Sequence, residues 1–229
     1  MPPPHQDFGQ PLVLEDYLPD IPQPTSSRTL CATCHAEAHD RRCSVCKNNS
    51  YCSVTCQASD WPIHKTVCKS YMRVHDARPS SKHRRALYFP GNANKPRFIY
   101  LAYDTDGTPL DMAKCFPDTP EQDIKTIAFH NRFLPYWIQL SYDSNPEGRR
   151  SRDSNMSIGN AFHGSVVALA YDAELGLGSP ALDADTTTLR AVLEYAKLRA
   201  EYDGPVFVEQ PQDRYTETAW REILGETSD

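Results

Sequence analysis

The chain has 229 residues, 39% apolar and 24% charged, and its 12 Tyr, 8 Phe and 3 Trp exclude a chain disordered throughout. A formal net charge of −6 disfavours bulk binding to nucleic acid, and no apolar run is long enough to span a bilayer. Met1-Pro2-Pro3-Pro4-His5 lacks the charge and apolar stretch of a secretory signal, so the chain is expected to stay inside the cell, nucleus or cytoplasm unresolved.

Residues 1–27 carry Pro2, Pro3, Pro4, Pro11, Pro19, Pro22 and Pro24 and read as an extended tail. Leu12, Val13, Leu14, Tyr17, Leu18 and Ile21 are apolar for a tail and suggest a strap over the protein's own folded part, with a peptide motif for another protein as the alternative.

Seven of the eight cysteines fall between positions 31 and 68, in the order Cys31-x2-Cys34-x8-Cys43-x2-Cys46-x5-Cys52-x3-Cys56-x7-His64-x3-Cys68. In a chain without an export signal this spacing points to metal rather than to disulfides. Each Zn2+ takes four soft donors in a tetrahedron, so eight donors make two closed, structural sites with no position left for a substrate. Spacing leaves two pairings open, consecutive or interleaved.

The order of the pairs, the aromatic in Tyr51-Cys52 and the run from Cys56 through Trp61-Pro62-Ile63-His64 to Cys68 resemble a MYND-type zinc finger. The resemblance implies the interleaved pairing: Cys31, Cys34, Cys52 and Cys56 on one ion, Cys43, Cys46, His64 and Cys68 on the other. Ser59 or Asp60 is expected to cap a helix that takes Pro62 in its first turn, and His64 and Cys68, four apart, then face one ion. His35 and His39 are read as loop residues outside the ligand set. So short a segment has little core of its own, so its stability should come from metal, and its loss should leave a separate domain standing.

After a finger over 28–74, residues 75–85 read as a solvated basic linker with Arg78, Lys82, Arg84 and Arg85. Residues 86–229 read as an α+β domain. Strands are expected at Arg97–Tyr103, Phe133–Tyr142, Ser165–Tyr171 and Pro205–Glu209, with a turn at Asp104–Gly107. Asn145–Asn155 reads as a loop. Helices are expected at Thr187–Glu201, capped by Asp185 or Thr186, and at Thr216–Leu224. Cys115, His130 and His163 sit among apolar residues and are read as core groups.

No phosphate loop, dinucleotide fingerprint or nucleophile elbow is present. Some MYND fingers sit inside SET-type methyltransferases, but the 30 residues before Cys31 are proline-rich and nothing after Cys68 resembles that domain's second element. The chain is therefore expected to dock partners rather than catalyse, with an enzyme or small-molecule binder in 86–229 as the alternative. The resemblance implies binding of short proline-containing peptides in a shallow groove beside the second zinc, and a role in transcriptional regulation. Carried onto this chain, it makes Ser50, Ser53 and Trp61 candidate groove walls and Gln57 a polar contact, with Tyr51 packed on the zinc scaffold.

Overall fold

The computed structural model describes residues 29, 31–34, 36–38, 41–116, 122–128, 136–143, 154–160, 162–172 and 180–201. The tail 1–27, His35, His39, His130, Pro205–Glu209, Thr216–Leu224 and all of Asn145–Asn155 except its last two residues lie outside these.

The finger opens with two short antiparallel strands, β1 (Arg41–Arg42) and β2 (Ser50–Tyr51), with Arg41 opposite Tyr51. The loop between them turns at Lys47, which adopts φ +58. Helix α1 follows as one piece from Val54 to His75. Its cap is Ser53, not Ser59 or Asp60: Ser53 is extended, and its Oγ accepts from the Cys56 N–H at 3.1 Å. Two consequences follow from that earlier start. Cys56 and Cys68 share one helix, and Pro62 lies in the helix interior, where it leaves the Ala58 carbonyl without its helical donor.

The second part is a five-stranded antiparallel sheet in the order β4-β3-β7-β6-β5, formed by β3 (His83–Phe89), β4 (Arg97–Ala102), β5 (Gln122–Ala128), β6 (Tyr136–Asp143) and β7 (Val166–Asp172). Helix α2 (Thr188–Glu201) follows it, and Asp185 stands at its entry, Oδ1 accepting from the Thr187 N–H at 2.8 Å. Helix and antiparallel sheet together make the part after the finger α+β. The expected turn is also present: Asp104 Oδ1 accepts from the Asp106 and Thr108 N–H groups, and Gly107 takes φ +81.

Strand β7 lies between β3 and β6 and is buried on both faces. Val166, Ala168 and Ala170 face one apolar cluster with Leu87, Phe89, Ile138 and Leu140, while Val167, Leu169 and Tyr171 face another with Ala86, Leu101, Tyr103 and Phe116. The period of two explains why this strand reads as an unbroken apolar run.

The 75–85 linker is a correction. Strand β3 begins at His83, inside that range, and the three arginine side chains are bound internally, while Lys82 is exposed. Arg78 pairs with Asp183, Arg84 Nε donates to the Ala181 carbonyl at 3.0 Å, and Arg85 Nε donates to the Ala184 carbonyl at 2.7 Å. Arg85 is buried, its guanidinium 4.5 Å from the Tyr71 ring centre. Charged residues suit a linker on composition, but planar Arg stacks well on aromatic faces that only the fold supplies. His163 is a second correction. It is exposed between buried Phe162 and Gly164, at an isolated bridge to Ser154, where successive residues of extended chain face opposite sides.

The finger does not stand apart from the sheet. One core cluster runs from Cys43, Cys46, Tyr51, Val67 and Tyr71 into Phe98, Leu87 and Phe89 and on to Leu189, Val192 and Tyr195 of α2. Ser70 Oγ of α1 accepts from the Phe98 N–H at 2.8 Å, so the helix covers the edge strand β4 at that point.

Candidate metal centre

The eight donors gather into two groups, Cys31, Cys34, Cys52 and Cys56 in one and Cys43, Cys46, His64 and Cys68 in the other, each with its donor atoms within 4.8 Å of one another. The pairing is interleaved. β2 and the start of α1 bring Cys52 and Cys56 to the turn that carries Cys31 and Cys34. The middle of α1 brings His64 and Cys68 to the turn Cys43–Cys46.

Separations discriminate between metal and disulfide. Cys34 and Cys52 Sγ are 3.3 Å apart, Cys52 and Cys56 Sγ 3.6 Å, Cys43 and Cys68 Sγ 3.8 Å, and Cys46 Sγ lies 3.4 Å from His64 Nε2. A disulfide needs about 2.05 Å. A zinc tetrahedron with bonds of about 2.3 Å has sulfur–sulfur edges of roughly 3.8 Å. All eight cysteines are free thiols, and the two donor sets, one of four cysteines and one of three cysteines with a histidine, fit two structural Zn2+ ions.

The electrostatics agree. Burial pushes the Cys34 and Cys68 thiols up to about 12, and neighbouring sulfurs add to it. At Cys31 burial acts the same way, but backbone N–H groups around the sulfur outweigh it and hold the thiol down at about 7. At Cys43 burial again raises the thiol, and similar backbone donors prevail and leave it lowered. Clustered thiolates repel one another, so a bare cluster keeps protons that only a cation can displace. His64 is buried, which lowers its imidazole below the ordinary value against the pull of Asp60. A neutral ring with Nε2 toward the thiols is the form that ligates zinc. Its Nδ1 has no hydrogen-bond partner among the described residues.

A carboxylate that the spacing of ligands does not reveal sits against the second cluster. Asp60 is buried in α1; it accepts from Tyr51 Oη at 2.7 Å and Asn49 Nδ2 at 3.1 Å, and pairs with Arg190 Nη2 of α2 at 3.3 Å. The Thr186 N–H donates to Asn48 Oδ1 at 3.0 Å and its hydroxyl to Asn49 Oδ1, closing the same seam. The one sequence signal was position: Asp60 lies four before His64 and so shares its helix face.

The four candidate peptide contacts lie on β2 and, at a spacing of four, from the cap of α1 along its first half. Ser50 is buried and lines an open groove of about 550 Å3 with Arg42, Lys47, Tyr71, Met72 and His75. The Ser53 hydroxyl is taken by the helix cap. Gln57 is half-buried and Trp61 is 47% exposed, both on the first half of α1. Tyr51 is buried against the scaffold, as its expected packing role requires.

Residues 31–68 match the family model for the MYND finger. Over that segment the chain is similar to zinc finger MYND domain-containing protein 10 homolog of Drosophila melanogaster, 55% identical over 38 residues, which is 17% of this chain and 8% of that protein. It is also similar to SET domain and MYND-type zinc finger protein 6 of Schizosaccharomyces pombe, 49% identical over 41 residues (18% of this chain, 8% of the relative). A third relative is histone-lysine N-methyltransferase ASHR1 of Arabidopsis thaliana, 35% identical over 54 residues (24% and 11%). The matches thus span about a tenth of these relatives' own length. No solved structure matches the chain. Family model, relatives and donor geometry agree on one conclusion: residues 31–68 are a MYND finger with two cross-braced zinc sites, followed by a domain of helices and antiparallel sheet.

Proposed function

We propose that this protein is a docking module rather than a catalyst, and that its finger binds an extended, proline-containing segment of a partner protein along the exposed face of α1. MYND fingers are in general protein-interaction modules, and both metal sites are closed by four protein donors, which leaves zinc no open position for chemistry.

The observation that carries the reading is a face with an apolar group at each end. Trp61 is 47% exposed and Met72 39% exposed. Eleven residues on a helix return to nearly the same direction about 16 Å along the axis. Roughly five residues of polyproline-type chain span that distance, and such a chain loses little entropy on binding. Met72 lines the groove whose floor includes Ser50, so the groove would receive one end of the segment and Trp61 the other. Exposed Lys65 and Lys69 lie between them and Arg42 and Lys47 at the groove, so the segment is acidic as well as proline-containing. A place in transcriptional regulation is part of the proposal and rests on the family of the finger.

Nucleic acid is a poorer ligand for this surface, because Arg78, Arg84 and Arg85 are bound within the fold. No helix among the described residues is long and apolar enough to cross a membrane.

The test is fluorescence anisotropy with the intact zinc-loaded chain and a set of ten-residue proline peptides, acidic and neutral. Trp61→Ala should weaken the best acidic peptide by roughly tenfold, a contact of about 1.4 kcal/mol. Affinity unchanged by Trp61→Ala, or equal for acidic and neutral peptides, would remove this surface from consideration.

A further inference from the structure

The two metal sites share a chemistry but not an environment. In a loaded finger every ligating sulfur is a thiolate, so oxidant access rather than protonation decides which reacts. In the second cluster all four ligands are buried: Cys43 is 3% exposed, Cys46 6%, His64 1% and Cys68 2%. Its three cysteines lie in the core that joins finger, sheet and α2. In the first cluster only Cys31 is buried; Cys56 is half-buried, and Cys34 and Cys52 are exposed.

The same two exposed sulfurs approach each other to 3.3 Å. Cys34 lies in a turn and Cys52 in the bend before α1, so neither is held by a helix or strand. Cys52 and Cys56 are 3.6 Å apart, but Cys56 belongs to the first turn of α1, where the Ser53 cap and the Thr33 hydroxyl bonded to its carbonyl at 2.9 Å hold it. Bringing Cys34 and Cys52 from their observed separation to the about 2.05 Å of a disulfide needs only a small movement of two loops.

We infer that the cluster of Cys31, Cys34, Cys52 and Cys56 is an oxidative modification site, at which hydrogen peroxide joins Cys34 to Cys52 and releases one Zn2+ while the cluster of Cys43, Cys46, His64 and Cys68 keeps its ion. The balance closes. One thiolate attacks a peroxide oxygen, the O–O bond breaks, and a sulfenic acid and hydroxide form. The second thiolate attacks the sulfenic sulfur, the S–S bond forms, and a second hydroxide leaves. Two thiolates are oxidised by two electrons in all, and the peroxide is reduced to two hydroxides. Cys31 and Cys56 alone cannot hold a tetrahedral ion, so Zn2+ departs. Reduction by a small thiol with zinc present reverses the change. The inference rests on the two-zinc assignment and is independent of the docking proposal.

The experiment uses the full zinc-loaded chain. Native mass spectrometry must first show two ions per chain; fewer would overturn the metal assignment itself. Peroxide is then added while a colorimetric chelator reports free zinc and peptide mapping reports disulfides. One ion should leave, Cys34 and Cys52 should be joined, and Cys43, Cys46 and Cys68 should become alkylatable only in denaturant. Dithiothreitol with zinc should restore two ions. Loss of both ions together, loss of neither, or a disulfide between any other pair overturns the inference. A Cys31→Ser variant gives a second readout: it should lose the first ion without peroxide and show no further zinc release when peroxide is added.

Discussion

At the scale of single residues, the group with the largest consequence outside the ligands is Asp60. Its carboxylate takes hydrogen bonds from Tyr51 and Asn49 and meets Arg190 from another helix, all with little water nearby. An amide in its place removes the charge and one of the two accepting oxygens, so donors on one side of the seam lose their acceptor. Asp60→Asn should therefore cost about 3 kcal/mol, read as a lower urea midpoint in the zinc-loaded protein. An unchanged midpoint would mean that the seam contributes nothing. Cys115 makes the opposite case. It is 6% exposed, and burial pushes its thiol up to about 11, so at pH 8 it stays protonated and covered. Iodoacetamide at pH 8 should leave Cys115 unlabelled in the folded protein and label it after denaturation; rapid labelling of native protein would contradict this.

At the scale of elements, α1 carries the metal site, the core face and the proposed docking face, and the sequence signals for it were only partly legible. The four-residue spacing of His64 and Cys68 and the apolar positions Val67 and Tyr71 identified its middle. Its start was misread because Ser59-Asp60-Trp61-Pro62 looks like a capped first turn, whereas Ser53 caps and Asp60 faces inward. Pro62 is thus an interior proline, and Pro62→Ala should restore the bond to the Ala58 carbonyl and raise stability by about 1 to 2 kcal/mol. A lower melting temperature in that variant would show that the helix is kinked there for a packing reason. β7 was legible through its apolar run. β5 was not, because Gln122, Asp123, Lys125 and Thr126 make it polar, and only pairing with β6 defines it. A close approach also escapes sequence reading: a Cβ on Gly91 would come within 2.8 Å of the Gly164 backbone. Gly91→Ala should cost on the order of 1–3 kcal/mol by thermal melting, and a neutral result would mean that the two loops separate freely.

At the scale of the whole molecule, the shared core changes what metal removal does. A detached finger would melt alone. Here Cys43, Cys46 and Cys68 pack in the same cluster as Phe98, Leu87, Leu189 and Val192, and Asp60 ties the second site to α2. Removing both ions should therefore loosen α2 and the β3–β4 hairpin together with the finger. Hydrogen exchange on the chelated protein should show lost protection in 83–102 and 188–197 as well as in 41–75. Protection retained in the sheet and α2 after complete zinc loss would restore the picture of two independent units.

The amino-acid sequence by itself determined the eight donors, their order and the closed character of both sites, because ligand type and short spacing are local properties that zinc reads directly. It also determined three of the strands, β4, β6 and β7, and the second helix, whose patterns are local too. The tertiary structure alone decided that finger and sheet share one core, that Arg84 and Arg85 are bound within the fold, and that Asp60 meets Arg190 across 130 residues of chain. Such contacts join residues far apart in sequence, and no local pattern records which distant partner will offset the cost of burying a charge.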